Sequence, residues 1–162
     1  MHSLAAVLTG LCDYPRLIEE CLVDSGTVEA SGAYLTQIQL RGVCKQFLVD
    51  DCVPITSAGD ALFLRPAILD RNSDQIDLWP QIIAKSLAKG MINYERICKQ
   101  TVSNFLRDLG KFPVRDMKIR TVEWDTIRMS FQRQYLFIGI ANQKFLKDFC
   151  KGLHGKFLFN FF

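Results

Sequence analysis

The chain has 162 residues, 49% of them hydrophobic and 23% charged, with six cysteines and a formal net charge of +3. Such a composition buries a real core in one domain or two small lobes, and it excludes a disordered chain. No run of about 18 apolar residues occurs, which excludes a membrane-spanning helix; the apolar stretch Leu4–Cys12 is too short and lacks the basic residue that precedes a secretory leader.

Cys12, Cys21, Cys44, Cys52, Cys98 and Cys150 show no CxxC spacing, so neither a zinc site nor a disulfide framework is predicted. They read as free thiols of a reducing, cytoplasmic setting. Charge is divided unevenly: residues 1–81 carry five basic and eleven acidic side chains, residues 82–162 fifteen and six. Two lobes of opposite sign attract across a shared cleft. The basic residues are spread singly rather than clustered with aromatics, so no nucleic-acid partner is expected.

In chain order, the apolar segment Leu4–Leu11 leads to Tyr14-Pro15, which opens a short helix through about Val23. Residues 26–32 read as loop. Alternation over Tyr34–Leu40 places Tyr34, Thr36, Ile38 and Leu40 on one face, and Arg41-Gly42 turns the chain into a second strand, Val43–Val49. A third short strand is predicted over Ala61–Arg65, then a polar loop over Asp70–Gln75.

A helix over Leu78–Lys89 carries Trp79, Ile82, Ile83, Leu87 and Met91 at helical spacing and is closed by Gly90. Another, Thr101–Leu109, turns Phe105, Leu106 and Leu109 inward and stops at Gly110; a third, Trp124–Gln134, presents Ile127 and Phe131. The continuous apolar run Tyr135–Ile140 predicts a strand in the middle of a sheet. Mixed α/β (α+β) content follows.

Three stretches in series resemble the calpain family of cysteine proteases. Gly42–Pro54 is similar to the family's strand ending in Val-Asp-Asp-x-x-Pro, here Val49-Asp50-Asp51-Cys52-Val53-Pro54. Ala61-Leu62-Phe63-Leu64 resembles its Leu-Leu-Phe strand. Asp77-Leu78-Trp79 through Lys89, followed by Tyr94-Glu95, resembles its Glu-Phe-Trp helix and Tyr-Glu pair.

The resemblance implies a papain-like core: a helical first lobe with a small antiparallel hairpin over residues 1–97, and the beginning of a β-rich second lobe over residues 98–162. It implies peptide-bond cleavage by cysteine, histidine and asparagine. Leu4–Leu8 and Asp13-Tyr14-Pro15 resemble the helix and turn after the family's Gly-Asp-Cys-Trp nucleophile, which puts that position at Met1 or His2. A thioether cannot ionise to a thiolate, so no activity is expected of this chain. The core is read as lacking its N-terminal segment and the later part of the second lobe.

His154 falls where the catalytic histidine is expected, about 130–150 residues on, and the alternative is an incidental surface histidine. Asn160 is too close to it to serve as the orienting asparagine. Calcium is implied by the same resemblance, with Asp77 at the place of an acidic ligand, although such an ion takes roughly six to eight oxygens. The reading of Asp77 as the N-cap of its helix, which needs no metal, is preferred. Partners are protein substrates, or, on a second reading as a non-catalytic protease-like module, other proteins docking on the cleft or on the aromatic tail.

Overall fold

The computed structural model describes residues 2–23, 32–59, 61, 64, 67–68, 76–111, 113–118, 122–136 and 138. Among them the order is α1 (His2–Leu11), α2 (Pro15–Glu19), β1 (Ala33–Leu40), β2 (Val43–Asp50), β3 (Ala67–Ile68), β4 (Ile76–Asp77), α3 (Trp79–Gly90), α4 (Tyr94–Cys98), α5 (Val102–Gly110) and α6 (Trp124–Gln132). The fold is mixed α+β. No helix among the described residues is long and apolar enough to cross a membrane.

Two helical stripes make the centre of the first compact unit, Met1–Thr121. Leu4, Val7, Leu8 and Leu11 recur at the period of α1, and Val102, Phe105, Leu106 and Leu109 at the same spacing on α5; all eight are buried. The two helices pack on each other. Each such side chain contributes about 1.5–3 kcal/mol by leaving water, so this pair of stripes fixes the position of α1.

β1 and β2 form an antiparallel hairpin in the register Leu40↔Val43 through Ala33↔Asp50. Its two-residue turn requires positive φ at both central positions, and Arg41 (52°) and Gly42 (81°) supply it. Glycine adopts that conformation freely, whereas arginine does not. The carboxylate of Asp108 on α5 holds the turn by accepting the Arg41 backbone N–H at 3.2 Å. The inner face, carrying Thr36, Ile38, Leu40 and Val49, lies against α3, whose Ile82, Ile83, Ser86 and Leu87 are buried. Lysines of α3 reach β2: Lys89 Nζ donates to the Leu48 carbonyl at 2.7 Å, and Lys85 Nζ to that of Asp50 at 3.4 Å.

Several predicted elements change shape. The helix opened by Pro15 ends at Glu19 rather than Val23, because Leu22 leaves it to bridge Thr36, with Gln37 N–H donating to Cys21 O and Val23 N–H to Leu35 O. The strand predicted over Ala61–Arg65 reduces, at its described residues, to a bridge between Ala61 and Ile55 and a bend at Leu64. A two-residue ribbon, β3 with β4, was not predicted. The loops at residues 26–31 and 70–75 lie outside the described residues.

The second unit, Val122–Phe162, is described through α6 and the residues just after it. No residue of α6 is buried: Ile127 is half-buried, and Trp124 and Phe131 are exposed. Tyr135, Leu136 and Ile138 carry no strand, and Tyr135 is exposed. An interior strand needs a paired neighbour on each side, and no described strand flanks these residues.

Candidate functional site

Candidate chemistry begins with the thiols, since the reactive form of cysteine is the thiolate, favoured at the N-terminal end of a helix or beside a cation. None of the described thiols stands at the N-terminal end of a helix, and where a lysine lies near one, at Cys21 and Cys52, other influences outweigh it. Cys12 follows the C-terminal end of α1, where its thiol donates to the Leu8 carbonyl at 3.3 Å, the end of a helix that disfavours an anion.

Cys21 is 1% exposed and donates to the Leu109 carbonyl at 3.6 Å. Burial pushes its thiol up to about 11, only partly offset by Lys111. That bond satisfies a carbonyl in the last turn of α5, which the helix itself leaves unpaired. Cys52 is exposed, and hydrogen bonding to the Asp50 carboxylate raises its thiol. Cys44 lies exposed on β2 and Cys98 exposed at the end of α4. Cys150 is outside the described residues.

Of the two positions expected to align with the family nucleophile, His2 is the first residue of α1, and Met1 lies outside the described residues. His154, Asn160 and the aromatic tail lie outside them as well. Asp77 is placed on β4, paired with Ala67. The N-cap of α3 is Leu78, without a capping side chain, so the N-cap reading of Asp77 is corrected. Pro80, in the first turn, has no N–H to leave unpaired, which lessens the need for a cap there.

Among the described residues no group of three or more His, Cys, Asp or Glu converges on a common point. A calcium site built on three or more such side chains is therefore not assembled among them.

The most connected polar cluster joins the end of β2 to α3. Besides the Asp50 carbonyl, Lys85 Nζ donates to the Asp50 carboxylate and, at 2.8 Å, to the Cys52 carbonyl. The bond from Lys85 to the Asp50 carboxylate, with a further one from Cys52 N–H at 2.9 Å, lowers the Asp50 carboxyl to about 2. The cluster fixes the Val49-Asp50-Asp51-Cys52-Val53-Pro54 segment beside a shallow cleft of about 20 Å³, whose lining includes Leu78, Gln81 and Tyr94.

Gln81, buried, donates through Nε2 to the Leu64 carbonyl at 3.0 Å, while its Oε1 accepts nothing among the described residues. Sequence reasoning missed Gln81 and Asp108, though a visible signal existed: each is a polar residue inside an apolar helical stripe, beside Ile82 and Leu109 respectively.

Comparison with known proteins gives one family. The model described as calpain family cysteine protease matches residues 3–156. No curated protein matches the chain.

Proposed function

The chain belongs to the calpain family of cysteine proteases, and from that premise we propose that it carries the scaffold of a calpain-type endopeptidase without forming an acyl-enzyme through its own thiols. The observation supporting this reading is the setting of three of the described cysteines. Cys21 is buried with its thiol at about 11, Cys52 is raised by its carboxylate neighbour, and Cys12 sits at the wrong end of α1.

In this reading residues 1–97 belong to the first lobe and residues 98–162 to the second, with α5 the connecting element seated on α1. His154 takes the place of the family's imidazole and would act on a nucleophile that this chain does not supply at Met1 or His2. Asp77 is kept as the family-derived candidate for calcium. The reducing cytoplasm is the matching compartment for six cysteines without paired spacing.

The test is hydrolysis of a casein-type substrate by the full chain, with and without calcium, before and after alkylation of the thiols. No cleavage is expected in any arm. Calcium-stimulated cleavage abolished by alkylation would overturn the proposal.

A further inference from the structure

We draw no further inference here: the strongest candidate, the shallow cleft between the Asp50–Pro54 segment and α3 beside the Gln81 Oε1 that no described residue bonds, holds about one water, and since that oxygen is itself sealed from solvent, nothing in the structure shows what would bind there.

Discussion

Thr36 Oγ1 lies 2.7 Å from Ser86 Oγ, and both residues are fully buried, one on β1 and the other on α3. Ser86 in turn donates to the Ile82 carbonyl at 2.8 Å, so the two hydroxyls form a directed chain from hairpin to helix. Thr36 has a second acceptor within reach, the Phe47 carbonyl at 3.2 Å. Ser86→Ala is expected to cost about 1 kcal/mol, because Thr36 turns to that weaker partner. Thr36→Val is expected to be nearly neutral, since Ser86 keeps its own acceptor. Urea denaturation of both single variants and the double variant should give a coupling of roughly 0.5–1.5 kcal/mol; strictly additive effects would show the hydroxyls are not bonded.

Gly90 lies at the end of α3 where a β-carbon would strike the Leu40 side chain and stand 2.8 Å from Phe47 Cζ. On helix propensity alone Gly90→Ala should gain up to about 1 kcal/mol. Overpacking a filled site costs roughly 1–3 kcal/mol, and both neighbours are held by the hairpin register. A net loss on the order of 1 kcal/mol is expected, read as a lower urea midpoint with an unchanged slope. A rise in the midpoint would mean that Leu40 moves aside freely.

Ile92, two residues beyond α3, has φ 81° and is 74% exposed. A β-branched side chain in the left-handed region costs about 1–2 kcal/mol, and little packing is lost by removing it. Ile92→Gly is therefore expected to stabilise the fold by roughly 0.5–1 kcal/mol after the added freedom of the unfolded chain is counted. Thermal unfolding measures it, and a lowered midpoint would contradict the strain.

Asp108 is held above the usual carboxylate range by burial, against the opposing pull of the Arg41 N–H bond and the nearby Arg41 and Arg107 charges. Its folded pKa exceeds its unfolded one, so the native state binds the proton more tightly and loses stability as pH rises between the two values. Above the folded pKa the penalty is constant. Asp108→Asn keeps an acceptor for the Arg41 N–H and removes the charge. The variant is expected to exceed the parent in stability at pH 7, with the difference shrinking as pH falls through the folded pKa of Asp108. A pH-independent difference would show that the charge is not the cause.

The hairpin was legible because its signals agree at every level: alternation at period two, a turn at Arg41-Gly42, and an inner face that the structure buries at Thr36, Ile38 and Leu40. The helices at α3 and α5 were legible for the matching reason at period 3.6, and the family followed from motifs spread along the same elements. What failed was set by partners distant in sequence. Leu22 abandons a helical pattern for Thr36, fourteen residues on, and no local signal marks that bridge. The apolar run at residues 135–140 carries no strand at 135, 136 and 138, its other residues lying outside the described ones; its composition suits a buried strand or a buried helix alike, and periodicity does not separate them. α4 was missed although Asn93 caps it, accepting the Arg96 N–H at 2.9 Å, because a five-residue helix is too short to show a stripe. At the candidate site, the raised thiol of Cys21 depends on burial between α2 and α5, which spacing does not encode.

The lysines of α3 guard the outer margin of β2. The hairpin register turns the carbonyls of Leu48 and Asp50 away from β1, and ammonium groups already occupy them. An incoming extended polypeptide finds those acceptors taken, so strand addition is disfavoured along that half of β2. Acylating Lys85 and Lys89 would remove both charges and leave each side chain a single amide N–H, so that margin of β2 would be less well guarded.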